Sequence, residues 1–148
     1  MEIRTILVPI EFHEGSAASL KNAVELASKV GAELTVLHVW QMPVYAFPVV
    51  GTSIQVAELG KSIEKSAQQA LDEMVKEHEG QGVTIRTMLR VGTPWEQILE
   101  VAREIDADMI VMATHGRKGV PRALLGSVAE KVIRMSSVPV LTFRLGEP

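Results

Sequence analysis

The sequence predicts an α/β fold: one open, doubly wound parallel sheet of five strands with helices on both faces, in the order βαβαβαβαβ. Three observations carry it. Short β-rich apolar runs alternate with stretches of helical period along the whole chain. The runs are nearly continuous in apolar residues, as suits strands covered on both faces. Parallel neighbours in turn need crossover helices, which the alternation supplies.

The first run, "IRTILVPI" (Ile3 to Ile10), reads as a buried strand ended by Pro9. Ser16 is the expected N-cap of a helix whose apolar stripe is Leu20, Ala23, Val24, Ala27 and Val30, with Gly31 as the stop. "AELTVLHVW" (Ala32 to Trp40) is the second strand. Residues 41–53 contain Pro43, Pro48 and Gly51 and read as a loop. Ile63, Ala67, Ala70, Leu71, Met74 and Val75 mark a second helix, stopped by "EGQG". "VTIRTMLRV" (Val83 to Val91) alternates as a half-exposed strand.

"TPWEQI" has the strongest helix-start signal in the chain: Thr93 as N-cap, Pro94 at the first helical position and Glu96 completing a capping box. That helix is expected to run to about Ile105. "ADMIVMA" (Ala107 to Ala113) is the fourth strand, Ser127 to about Met135 the fourth helix and "VPVLTF" (Val138 to Phe143) the fifth strand.

Composition limits what such a sheet can do. At 148 residues the chain suits one domain, residues 1–148, and 47% hydrophobic against 22% charged residues provides a core. The absence of cysteine excludes disulfides, thiolate nucleophiles and Cys-ligated metal. A formal net charge of −3 offers no global field for nucleic acid. No apolar run approaches membrane-spanning length, and the N-terminal stretch lacks the positive charge of a signal peptide, so a cytoplasmic location is expected.

Ligands of open α/β sheets sit beyond the carboxyl ends of the strands, where strand order reverses, so the loops after strands one and four hold the expected site. After strand four comes "MATHGRKGVPRALLGS" (Met112 to Ser127), in which nine residues separate Gly116 from Gly126. Ser127, Val128 and Ala129 would present free N–H groups at a helix start whose dipole favours an anion. That backbone suits a polyphosphate.

"THGRKGVPRALLGSVAEKVIRMSSVPVL" resembles the signature of the universal stress protein family: a glycine, two residues, a glycine, nine residues, then glycine followed by serine or threonine. "ILVPI" followed by an acid, "LHV", "GTPWEQI" and "VPVL" extend the resemblance over almost the whole chain. It implies that Gly116, Gly126 and Ser127 line the phosphates of ATP, ADP or AMP; Val128 joins them through its helix-start N–H, and His115 and Arg117 are further candidates beside them. Met112 and Ala113 would approach ribose and adenine, with Pro9, Glu11 and Val39 around the base. Mg²⁺ would be held through the phosphates, since no dedicated carboxylate cage is visible. Ala113 replaces the first glycine of the pattern, and Glu11 stands where the family usually has aspartate. On this reading Gly126→Val blocks phosphate while leaving the fold intact.

His115 reads as a general base or phosphate donor, or as a loop histidine bonded to backbone. Arg117, Lys118 and Arg122 read as phosphate partners or as solvated side chains, and His38 as a packed histidine. Trp40, Tyr45 and Phe47 would cover the base, or else an exposed core edge or a partner. The last strand leaves an apolar edge for a twofold mate, so a homodimer through Val138–Phe143 is expected, as the resemblance also implies.

The function expected is a nucleotide-dependent homodimeric switch of the stress-response type, with a protein partner whose identity is open. No arrangement of nucleophile, base and orienting group is legible, so ATP turnover is expected to be slow at most. The alternative is a dimeric interaction module that no longer binds nucleotide. A receiver domain lacks its acid cluster and lysine, and nothing supports a flavin.

Overall fold

The computed structural model describes residues 1–12, 14–43, 53–114 and 125–144. The elements are β1 (Thr5–Ile10), α1 (Glu14–Val30), β2 (Glu33–Trp40), α2 (Ser53–Lys76), β3 (Ile85–Val91), α3 (Pro94–Glu104), β4 (Met109–Ala113), α4 (Ser127–Met135) and β5 (Val140–Phe143). The five strands form one parallel sheet in the order β3-β2-β1-β4-β5. The doubly wound α/β architecture is therefore the one expected, with the reversal of order between β1 and β4.

Alternation along the strands sorts the core onto two faces. Ile6, Val8 and Ile10 of β1 pack with Leu34, Val36 and Val111 under Leu20, Ala23, Val24 and Ala27 of α1 and Leu71 of α2. Leu7, Leu37, Ile110 and Met112 point to the other face, under Ile98, Leu99, Val101 and Ala102 of α3 and Ala129 and Val132 of α4. Strands buried on both faces explain the continuous apolar runs.

Several boundaries differ from the expectation. α1 begins at Glu14, so Ser16 lies inside the helix, where it is buried, and is not its cap. α2 begins at Ser53, the last residue assigned to the loop; its first two turns are mostly exposed and carry little apolar period to read. Thr93 is the N-cap of α3, with Pro94 behind it, yet its side chain makes no capping hydrogen bond. β5 starts at Val140 because Val138 is engaged locally: its N–H donates to Ser136 Oγ, which donates back to Val138 O.

Pro9 does not end β1; it ends only the ladder with β4. Glu33 N donates to Arg4 O from the β2 side, and Asp108 N donates to Thr5 O from the β4 side. Alternation then turns the backbones of Thr5, Leu7 and residue 9 toward β4, and Pro9 has no N–H to give. The β1–β4 register accordingly stops at Leu7–Ile110, whereas β1 and β2 stay paired to Ile10–His38. The sheet opens at its carboxyl edge, at the switch point.

Candidate functional site

A cavity of about 370 Å³ occupies this opening. Pro9 and Ile10 of β1 line it with Glu11 just beyond, and Met112 and Ala113 of β4 line it with Thr114 just beyond. Leu37, Val39, Pro94 and Ile98 make an apolar wall, and Gly126, Ser127, Val128 and Ala129 close the side formed by the start of α4.

The α4 end is held by backbone. Gly126 N donates to Thr114 O at 2.8 Å, and Gly126 O accepts from Glu130 N at 2.9 Å, which locks the helix start against the end of β4. Thr114 N in turn donates to Phe143 O at 3.1 Å. The N-cap is Gly126, which supplies no side-chain oxygen. Among the described residues, no side chain caps the first-turn N–H groups of Ser127, Val128 and Ala129, and all three residues border the cavity. Such a terminus attracts an anion through both its donors and the helix dipole.

Gly126 is needed for proximity, not for backbone freedom. Its φ of −60° suits any residue, but a Cβ would lie 2.9 Å from Thr114 O. This corrects the expected behaviour of Gly126→Val: the added side chain collides with the backbone of β4 before any ligand is considered, so the fold at this point would not be left intact.

The sequence-derived residues Pro9, Glu11, Val39, Met112, Ala113, Gly126, Ser127 and Val128 all line this one cavity. His115, Gly116 and Arg117, with Lys118 and Arg122, lie outside the described residues. Ala113 belongs to the extended strand β4 and is not among the residues of positive φ, so its methyl group brings no backbone strain.

His38 is half-buried, with Nδ1 3.0 Å from Ile10 O and its ring centroid 4.3 Å from that of Phe12. It packs the end of β1, as read. Trp40 is turned elsewhere: a Cβ on Gly60 would meet Met42 Cε at 3.0 Å and Trp40 Cη2 at 3.7 Å, so both side chains rest on α2. Trp40 does not border the cavity, and Tyr45 and Phe47 lie outside the described residues.

Ala129, expected at the anion-binding helix start, also lines the cavity, whereas Ile10, Ser16, Ser19, Leu37, Pro94, Ile98 and Thr114 have no site role in the sequence reading. A signal existed for two of them: Ser16 and Ser19 continue the stripe of Leu20, Ala23 and Ala27 toward the N-terminus, placing two hydroxyls on the inward face of α1.

The universal stress protein family model matches residues 2–144. The chain belongs to the universal stress protein family. One relative, universal stress protein MJ0531 of Methanocaldococcus jannaschii, is 34% identical over 142 residues, which cover 95% of this chain and 82% of that protein. Universal stress protein MJ0577 of the same organism is 29% identical over 153 residues, covering 95% and 94%. Its solved structure superposes with a TM-score of 0.84 at 28% identity, covering 100% of both chains. A universal stress protein solved in complex with cAMP shares the fold at a TM-score of 0.73 and 21% identity, covering 97% of this chain and 98% of that one. In this universal stress protein the switch-point cavity is thus built on a scaffold common to the family.

Proposed function

We propose that this universal stress protein binds an adenine nucleotide, ATP or its products ADP and AMP, and that the ligand biases a cytoplasmic homodimer toward or away from a protein partner in the stress response. Residues 1–148 act as one nucleotide-binding unit. The observation that carries the reading is the start of α4, which lacks a side-chain cap and opens onto the cavity that Pro9 creates between β1 and β4. The apolar wall of Leu37, Val39, Pro94 and Ile98 suits a flat heterocycle, and the α4 terminus suits phosphate.

His115, Gly116 and Arg117, beside Thr114, would extend the phosphate cradle. Mg²⁺ would enter with a triphosphate and be held through its oxygens. The lining suits that role, since the Ser127 hydroxyl and the backbone carbonyls are oxygen donors of the kind Mg²⁺ accepts beside phosphate. Slow hydrolysis is the most this lining supports.

The dimer reading rests on the contrast between the two sheet edges. β3 carries Arg86, paired with Glu33, and Arg90, paired with Glu104, so charge guards that edge. β5, "VLTF", carries no charge and, among the described residues, no strand pairs with its outer side. Among the described residues no helix is long and apolar enough to cross a membrane.

The test is mass spectrometry of nucleotide released from purified, heat-denatured protein, followed by thermal unfolding with ATP and Mg²⁺, ADP and AMP. Adenine nucleotide in the released fraction, or a concentration-dependent rise in Tm, is expected. Neither at millimolar ligand would refute nucleotide binding and favour an interaction module acting through its surface.

A further inference from the structure

A polyphosphate calls for positive charge, and the described lining of the cavity supplies none: its one ionisable side chain is the Glu11 carboxylate. The first turn of α4 offers the N–H groups of Ser127, Val128 and Ala129, which a single phosphate can occupy. Further phosphates carry charge that those donors do not meet, and Glu11, beyond the end of β1, disfavours them on its own side. A cation is therefore needed beside the start of α4.

Lys131 stands there. It follows Ser127 by four residues and Val128 by three, so the three share one flank of α4. Helical side chains lean toward the N-terminus. The step back to Ser127 is about 6 Å along the axis, a distance within reach of the flexible four-carbon stem of a lysine. The ammonium is found at that level: Nζ lies 5.4 Å from the centroid of the Trp95 ring, and Trp95 follows Pro94, which lines the cavity. Lys131 is thus bracketed by two cavity-lining positions, Pro94 on α3 and Ser127 on α4, while remaining outside the lining itself.

The fold makes little use of this charge. Lys131 is exposed and forms no ion pair with a carboxylate among the described residues. Its neighbour Glu130 is taken by Arg134, one turn on. An ammonium over a half-buried indole gains little where water reaches it, and the packing of the stem on Trp95 needs no charge. A phosphate oxygen competes well with that ring, because a hydrogen bond between ionised partners is among the strong ones.

We propose that Lys131 is the cation that receives the terminal phosphates of the nucleotide, leaving the face of Trp95 to do so, and that it makes the cavity prefer ATP to AMP. The inference rests on the nucleotide reading above and adds to it the residue that distinguishes a triphosphate from a monophosphate.

The experiment is calorimetric titration of the full chain with ATP and with AMP, each with Mg²⁺, for the wild type, Lys131→Met and Lys131→Arg. Methionine keeps an unbranched stem against Trp95 and removes the charge. In Lys131→Met, ATP affinity is expected to fall about fivefold, the effect of one unit charge roughly 4 Å away in bulk water, and AMP affinity by less than about twofold. Lys131→Arg, which keeps the charge, should stay within about twofold of the wild type for ATP. Equal losses for both ligands in Lys131→Met, or no loss for either, would confine Lys131 to packing or solvent and overturn the inference while nucleotide binding stands. A loss in Lys131→Arg as large as that in Lys131→Met overturns it too, since charge would then not be what matters. A wild type that binds AMP as tightly as ATP overturns it without any variant. Failure of the wild type to bind either removes the nucleotide reading, and this role of Lys131 with it.

Discussion

Replacing Gly126 with alanine tests whether close approach of α4 to β4 builds the site. At φ −60° and ψ 146° alanine has no conformational objection, and restriction of the unfolded chain alone would stabilise the variant by about 0.4–1 kcal/mol. The new Cβ, however, would stand 2.9 Å from Thr114 O, where ordinary contact begins at 3.4 Å, so the helix start must retreat by about half an ångström. That movement overpacks the junction, at a cost of about 1–3 kcal/mol, and stretches the 2.8 Å bond from Gly126 N to Thr114 O. The collision outweighs the unfolded-state gain, leaving a net loss of roughly 1–2 kcal/mol.

For a chain of this size the loss corresponds to a fall in Tm of about 3–8 °C. The assay is reversible denaturation of Gly126→Ala beside the wild type, with ATP affinity measured on both. Affinity should fall as well, because Ser127, Val128 and Ala129 move with the terminus. Unchanged or raised stability with full affinity would refute the argument that proximity selects glycine here.

Other substitutions probe different links. Thr93→Ala should cost less than about 0.5 kcal/mol, below the ~1 kcal/mol of a working cap, since Thr93 makes no side-chain capping bond; a full-sized loss in denaturation midpoint would contradict that geometry. Asp108 Oδ2 accepts from the backbone N–H of Arg4 at 2.8 Å and of Thr5 at 2.9 Å, and these bonds hold its pKa below the ordinary 3.8. The stability this lends is fully present above the unfolded value and is lost as pH falls through the folded one. Wild type should therefore exceed Asp108→Asn in stability at pH 7, with the gap closing below about pH 4; a gap unchanged down to pH 2 would argue against the linkage. In β5, Pro139 O and Phe143 O accept from Ile110 N and Thr114 N, so alternation turns the backbone of Thr142 to the open edge. If the proposed homodimer forms through β5, Thr142→Pro should then convert it to a monomer in sedimentation while keeping the wild-type circular dichroism, and a persistent dimer would place the interface elsewhere.

Element order was legible because helix and strand period, Pro94, Gly31 and the "EGQG" stop act within a few residues of themselves. Boundaries failed where apolar period is weak, as in the exposed first turns of α2, or where one residue type serves two roles, as with Ser16. For the site, the α4 start and the ends of β1 and β4 could be read, since a switch point and a helix N-terminus leave local marks. Ser16 and Ser19 were harder to recognise because a buried hydroxyl and a capping hydroxyl look alike until the helix start is known.

By itself the sequence determined an alternating α/β chain, its two apolar faces, its family resemblance and the glycine–serine start of the last helix. Only the tertiary structure decided that residue 9 turns its backbone to β4, so that a missing N–H opens the sheet there, and that Gly126 is small because Thr114 O lies against it. Both facts depend on which strand stands beside which, and pairing across a hundred residues is set by the packing of the whole core.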